Sequence, residues 1–412
     1  MTEVELNQPL QPLELDGRYR GVLVVVTLCG DLLGTVELAS PAGRLEPQQL
    51  ARAIEQQLSS EIDRRLAAAG ERFGGVALGG ISADGLCAER EAFLARAPFV
   101  SVVICTRDRP DLLSSCLRHL GALEYPRFEI VVVDNAPSTD ATREVVRAFQ
   151  GPPAVRYERE DRPGVANARE CGCRTATADI IAFIDDDMVP ARGWLTETAR
   201  GFEAAERVGS VNGTILPGQL ETPNQLWFEQ FAGWGKGFHD QTFSLQRPTP
   251  GDPLFPYTVG RYAGGGNFAV TREALVRTGG FDRALGTGTL AWGGEDLDIA
   301  LKIIEAGFSI HYRPSAYVFH FHPRDWAGLR RRAFGYGAGL TAFYASTIRR
   351  NPRHASGMVR RLPRALGRAV DATPYGHQAV SGDYPRAVKI DQLRGMLYGP
   401  LGYVRSVARF RQ

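Results

Sequence analysis

The chain has 412 residues, enough for two or three domains, with 44% hydrophobic and 23% charged residues and a formal net charge of +2. This is ordinary globular usage, and it excludes disordered, collagen-like and fibrous classes for the bulk of the chain. No apolar run approaches the ~20 residues of a membrane-spanning helix, and the opening Met1-Thr2-Glu3-Val4-Glu5 lacks a secretory pattern, so a cytoplasmic location is expected.

Residues 1–97 open with two β-rich runs, 20–28 and 33–38, joined by the turn Cys29-Gly30-Asp31. Leu50, Ile54, Leu58, Ile62 and Leu66 then recur at helical spacing over 46–69, closed by Gly70. A small β-β-α accessory module is expected, followed by a glycine-rich linker over 70–85. The six cysteines (29, 87, 105, 116, 171 and 173) form no CxxC pair, and Cys171-Gly172-Cys173 has no second cluster near it. Free thiols in a reducing compartment are the expectation.

From residue 98 to 322 strands and helices alternate. Strands are predicted at 100–105, 129–133, 155–158 and 180–184, and helices at 111–120, 139–149 and 164–176. Runs apolar on both faces, alternating with helices, predict an α/β domain with a mixed, mostly parallel sheet flanked by helices. Ligands of such sheets sit beyond the carboxyl ends of the strands. Those ends here are Thr106-Arg107-Asp108, Asp134-Asn135 and Asp185-Asp186-Asp187, all polar.

Residues 323–412 form the third expected region, helical and basic. Between residues 324 and 370 eleven arginines face one acid, Asp325, so this stretch carries +10 and the remainder −8. Helices are expected at 326–336 and 340–350, and an amphipathic segment at 387–411 broken by Gly399-Pro400. The run Arg330-Arg331-Arg332 suits the anionic inner face of a membrane or a phosphorylated lipid carrier, with a solvated basic face as the alternative. No recognition motif accompanies the charge, so nucleic acid is not an expected partner.

Three motifs carry chemistry. Adjacent carboxylates repel one another, so Asp185-Asp186-Asp187 at the end of a buried strand calls for a neutralising cation. Carboxylates with open positions suit Mg²⁺ or Mn²⁺, which also bind substrate phosphates. Trp292-Gly293-Gly294-Glu295-Asp296 starts a helix, where acids complement the dipole and a carboxylate can also serve as general base. His320 and His322, two of only seven histidines, share a face at i, i+2 spacing as candidate ligands or substrate contacts. The segment Gly264-Gly265-Gly266-Asn267-Phe268 lacks the dinucleotide fingerprint and reads as a loop that lets a sugar or phosphate come close.

Taken in order, 102–107, 130–135, 164–172, 183–187, 264–268 and 292–296 resemble the family-2 glycosyltransferases with the GT-A fold, over about residues 99–345. The WGGED segment is also similar to that of β-1,4-galactosyltransferases, and 314–320 resembles the segment of polypeptide GalNAc-transferases that supplies a metal-binding histidine. The resemblance implies a GT-A domain and an inverting, metal-dependent transfer of sugar from a nucleotide-diphosphate donor, expected to be UDP-linked. The acceptor would be a hydroxyl of a glycan, lipid-linked carrier or small molecule.

On the donor side it implies Thr106, Arg107, Arg109, Asp134, Asn135, Arg162, Gly164, Arg169, Asp185 and Asp186 as nucleotide-sugar contacts. Asp185, Asp187 and His320 would hold Mn²⁺ or Mg²⁺. Asp296 would be the base, with Glu295 second, and Gly265, Asn267, Trp292, Gly294 and His322 would line the acceptor side. Where the family often has Asn after the helix arginine, this chain has Glu170. The competing readings are a nucleotidyltransferase, although 106–110 lacks the glycines it would want, and a non-catalytic sugar-nucleotide-binding protein.

Overall fold

The structure is a computed structural model that describes residues 1–40, 43–232, 234–249, 251–366 and 384–410. The chain divides into two compact units, Met1–Ala97 and Pro98–Gln412.

In the first unit β1 (Thr2–Glu5) pairs in parallel with β3 (Gly21–Leu28), which forms the expected hairpin with β4 (Asp31–Ala39). A short pair, β2 (Leu13–Glu14) and β5 (Arg44–Leu45), lies apart from this sheet. Helix α1 (Pro47–Ala68) buries Leu50, Ile54, Ile62 and Leu66 against the sheet, the face its periodicity predicts. Two expectations fail here. The 70–85 stretch is no linker: Ile81 and Ala83 join the same core, and Ile81 N–H donates to the Leu6 carbonyl at 2.7 Å. It leads into an unforeseen helix, α2 (Asp84–Ala95), whose first turn brings Cys87 beside the β3–β4 turn. There it is disulfide-bonded to Cys29, with a Cα separation of 5.1 Å across 58 residues. These two thiols are therefore not free. Sequence spacing alone cannot pair cysteines that only the fold brings together.

In the second unit nine strands form one sheet among the described residues: β6 (Val100–Thr106), β7 (Phe128–Asn135), β8 (Ala154–Glu160), β9 (Ile180–Asp185), β10 (Met188–Pro190), β11 (Val208–Pro217), β12 (Gln241–Phe243), β13 (Asn267–Thr271) and β14 (Ser309–His320). Their order is β10-β14-β11-β13-β9-β6-β7-β8, with β12 on β14. The run β9-β6-β7-β8 is parallel, and the antiparallel β13 joins it to the parallel pair β11–β14. Register places Thr106 opposite Asp134 and Cys105 opposite Asp185, so the three polar strand ends lie side by side. Helices α3 (Pro110–Leu120), α4 (Ala141–Ala148), α5 (Val165–Thr175), α6 (Trp194–Gly201), α7 (Pro223–Ala232), α8 (Arg272–Thr278) and α9 (Glu295–Glu305) connect the strands. Three of these, α3, α4 and α5, answer to predicted helices.

The basic region is not a separate domain. Its helices α10 (Trp326–Arg350), α11 (Arg353–Leu366) and α12 (Arg386–Phe410) belong to the second unit. Helix α10 is one helix where two were expected. Helix α12 runs unbroken through Pro400, and the reason lies in α10. Proline removes the hydrogen bond that would satisfy the Met396 carbonyl, and Thr341 Oγ1 of α10 supplies a replacement at 2.8 Å. Gly395, Gly399 and Gly402 line the buried face of α12, so the two backbones lie close together. A methyl group at Gly395 would overlap the Phe334 carbonyl. Gly395→Ala is therefore expected to destabilise the second unit by about 1–3 kcal/mol, read as a lower thermal midpoint; an unchanged midpoint would deny the close seam.

Candidate active site

The site begins at the end of β9. Where β9 runs into the turn at 186–187, the Asp186 side chain is fully buried, Asp187 is nearly so and Asp185 is partly exposed. Asp186 is buried, accepts a hydrogen bond from Thr106 Oγ1 at 2.6 Å and pairs with Arg109 Nη2 at 2.7 Å. Burial, against the pull of Arg109, pushes its carboxyl up to about 7. Asp186 and Thr106 thus stitch strand ends together and do not offer side chains to a nucleotide, contrary to expectation.

Asp187 meets two cations: Arg109 Nη1 and Arg332 Nη2 each lie 3.3 Å from its Oδ2. Burial works to raise its pKa, and its basic neighbours hold it below the usual carboxylate range. On the other oxygen, His320 Nε2 lies 3.8 Å from Oδ1. Desolvation brings the His320 pKa down to about 3, so the ring is neutral. Its Nδ1 lies 2.8 Å from Nδ1 of His322, and His322 Nε2 lies 2.7 Å from Glu229 Oε2. His322 is thus a buried link behind His320, not an acceptor contact, because β14 has ended and the chain folds back onto α7.

Arg169, 3% exposed, joins β9 to α9. Its Nη1 donates to Glu295 Oε1 at 2.8 Å and its Nη2 lies 3.6 Å from Asp185 Oδ1. The guanidinium sits among the rings of Phe183, Phe268 and Phe281 at 5.2–5.9 Å. Burial, with Asp296 next and Arg169 opposing, pushes the Glu295 carboxyl up to about 7. Buried and bonded, Glu295 is a poor rival to Asp296, which is half-buried.

The glycine run brings the acids together. A methyl carbon at Gly265 would lie 2.8 Å from Asp296 Oδ2, and one at Gly266 would lie 3.0 Å from Asp185 Oδ2. The two carboxylates therefore flank neighbouring glycines. Lys236, unforeseen from the sequence, sits at the same run with Nζ 3.9 Å from the Cβ position of Gly264. Desolvation, opposed by Asp296, lowers its pKa to about 8.

Other expected contacts prove structural. Asn267 is buried and spends its amide on Trp194 Nε1 and on the carbonyls of Thr214 and Ala316, at 2.8–2.9 Å. Gly294, at φ 89°, caps α9 where a side chain would overlap the Gly339 carbonyl of α10. Neither faces an acceptor. Asn135 holds the Arg162–Gly164 turn, donating to the Arg162 carbonyl and accepting from Gly164 N–H, both at 2.8 Å. Glu170 accepts from Phe281 N–H at 2.7 Å and so fixes the turn after α8.

Asp134 is buried: Tyr157 donates to its Oδ2 at 2.9 Å, and its Oδ1 has no hydrogen-bond partner among the described residues. Arg107 and Arg162 are exposed just beyond the ends of the neighbouring strands β6 and β8, and Trp292 is 38% exposed against Phe334. In the basic run, Arg332 reaches Asp187 and Arg330 pairs with Asp391 of α12 at 2.5 Å, so both are engaged in ion pairs. The sequence carried no local signal for Glu229, Lys236 or Arg332 as site residues, because each arrives from an element outside the motifs.

Among the described residues, no three His, Cys, Asp or Glu side chains are gathered to hold a metal. The Asp187–His320 pair nevertheless fits one divalent cation. It offers an oxygen and a neutral nitrogen, backed by the His322–Glu229 link, and leaves further positions to phosphate or water.

Two family matches follow this geometry. Residues 101–275 match "Glycosyl transferase family 2", and residues 252–324 match "N-terminal domain of galactosyltransferase". The chain is similar to the pre-mycofactocin glycosyltransferase of Mycobacterium tuberculosis, 30% identical over 58% of this chain and 46% of that protein, so it spans about half of that relative's length. It is also similar to the succinoglycan biosynthesis protein ExoM of Rhizobium meliloti, 29% identical over 56% of this chain and 69% of that one. Among solved structures, the mannosyltransferase PcManGT from Pyrobaculum calidifontis, in complex with GDP-Man and Mn²⁺, is 24% identical with a TM-score of 0.44, covering 76% of this chain and 75% of that one. The second unit thus contains a family-2 glycosyltransferase domain that runs on into a galactosyltransferase-like segment.

Proposed function

We propose that the chain is an inverting glycosyltransferase that moves a sugar from a nucleotide-diphosphate donor, UDP-linked in this reading, to a hydroxyl of a glycan, lipid-linked carrier or small molecule. The observation that carries the reading is the glycine pair 265–266, whose Cβ positions would lie 2.8 Å from Asp296 Oδ2 and 3.0 Å from Asp185 Oδ2, with Met188 also against Gly266. A substrate lying over these glycines has a donor-side and an acceptor-side carboxylate within reach.

An alcohol is a poor nucleophile near neutral pH. Asp296, less buried than Glu295 and free of the arginine that ties its neighbour, takes the hydroxyl proton as attack proceeds. Such a base contributes about 10²–10⁴-fold. Attack from the side opposite the leaving group inverts the anomeric carbon. On the donor side the buried Oδ1 of Asp134, without a hydrogen-bond partner among the described residues, would accept from the nucleotide, and Arg109 and Arg332 would face the phosphates. Asp187 and His320 would hold Mn²⁺ or Mg²⁺, which when bound stabilises negative charge on the leaving phosphate. Lys236 faces the acceptor from beside Gly264.

A panel of nucleotide sugars, screened by thermal shift and by metal-dependent hydrolysis, identifies the donor through its stabilisation of the folded state. Asp296→Asn is expected to keep that stabilisation and lower transfer by about 10²-fold or more; near-normal turnover would move the base elsewhere. Glu229→Gln is expected to weaken Mn²⁺ binding, followed by electron paramagnetic resonance, by about 10–100-fold; equal affinity would separate the relay from the metal. Lys236 loses its charge as pH rises through about 8, so kcat/KM should fall on that alkaline side. Lys236→Arg should carry the plateau to higher pH, and an unshifted limb would remove Lys236 from the acceptor side.

A further inference from the structure

Helix α12 has two opposite faces, and only one is explained by the fold. Val388, Asp391, Gly395, Gly399, Gly402, Tyr403 and Ser406 are buried, largely against α10. On the other side Ile390, Leu393, Leu397, Leu401 and Val404 are 48%, 59%, 85%, 50% and 61% exposed. Their spacing of three or four residues is that of one helix face. At about 100° per residue the five side chains fall within an arc of about 80° directly opposite the glycine seam. Five large aliphatic side chains in one exposed row are not the scattered apolar residues of an ordinary surface.

The charges around this row point to its occupant. Lys389 borders it on one edge and Arg394 and Arg405 on the other, with Arg386 and Arg409 toward the two ends, all exposed. The helix has one acid, Asp391, and that carboxylate is on the buried side, held by Arg330 and Arg394. Against a second copy of the same face, cation would meet cation. An anionic lipid surface complements both features at once, taking the aliphatic row into the headgroup boundary and the cations at phosphate level. Six charged side chains prevent the helix from crossing a bilayer, and none of the described helices is long and apolar enough to do so. It can lie only along the surface.

We infer that the outer face of α12 is a docking surface for anionic lipid bilayers. This surface takes the place of the Arg330–Arg332 run, whose first and third members are committed elsewhere. It is also joined to the active-site loop. Tyr398 of α12 packs on Phe334 at 5.7 Å, Phe334 packs on Trp292 at 5.3 Å, and a side chain at Gly402 would overlap the Leu290 carbonyl. A docked α12 therefore holds the 290–294 loop close to the lipid surface.

The test is co-sedimentation of the full chain with phosphatidylcholine vesicles, with and without phosphatidylglycerol, and needs no substrate. Expected is binding that requires phosphatidylglycerol and weakens as salt is raised. Leu397→Glu should weaken it about tenfold or more, as should the double variant Lys389→Glu with Arg405→Glu. All three positions are exposed, so thermal midpoints should match the parent chain, and the charge variant keeps the test open if Leu397→Glu misfolds. Failure to bind, binding indifferent to phosphatidylglycerol, or variants that bind like the parent would overturn the inference. So would a dimer in solution that Leu397→Glu converts to monomer, since the row would then belong to a second copy.

Discussion

Arg169 is the cation around which the acidic end of the sheet is assembled. It rises from α5 into a cage of three phenylalanine rings and reaches one acid at the end of β9 and another at the start of α9, which lie 110 residues apart in sequence. Removing one member of such a buried pair leaves the other charged and unsolvated, at a cost of about 3–5 kcal/mol. The geometry follows from this. Glu295 is drawn inward, its neighbour Asp296 lies at Gly265, and Asp185 lies at Gly266.

The second constraint is the balance of charge around Asp187. Three consecutive aspartates would repel one another, and the fold separates their fates. Asp186 goes inward to Thr106 and Arg109, Asp185 faces Arg169, and Asp187 is shared by Arg109, Arg332 and a neutral His320. Arg332 comes from α10, so the basic C-terminal helices complete the site. Helix α10 does this while packing its Gly339 against the 293–294 backbone, and α12 packs in turn on α10 through its own glycines. Electrostatics and close packing thus tie the C-terminal helices to the Trp292–Asp296 segment.

What could be read in advance was whatever depends on local period and on strand ends. The alternation of apolar runs with helical spacing located β6, β7, β8 and β9 and the helices between them. Because the predicted strands are parallel neighbours, the polar ends that carry Asp134 and Asp185 could be expected side by side, as the register has them. The failures share a cause. Asn267, Gly294, Thr106 and Asp186 have the polar or small side chains of contact residues, yet tertiary neighbours consume them: Trp194 and two carbonyls, the α10 backbone, Arg109. Local pattern cannot distinguish a group kept for substrate from one spent on the fold.

The sequence by itself determined which residues lie at the ends of the sheet and the type of chemistry that carboxylates, histidines and glycines in that order support. Only the tertiary structure decided which acid is available and which is locked, because burial and the position of an arginine over a hundred residues away set that difference between Glu295 and Asp296. It also decided that Cys29 and Cys87 are bonded, that Pro400 leaves α12 intact, and that the basic run belongs to the site. Each outcome depends on a partner supplied by another element, and distances of that kind are not written in the spacing of residues along a chain.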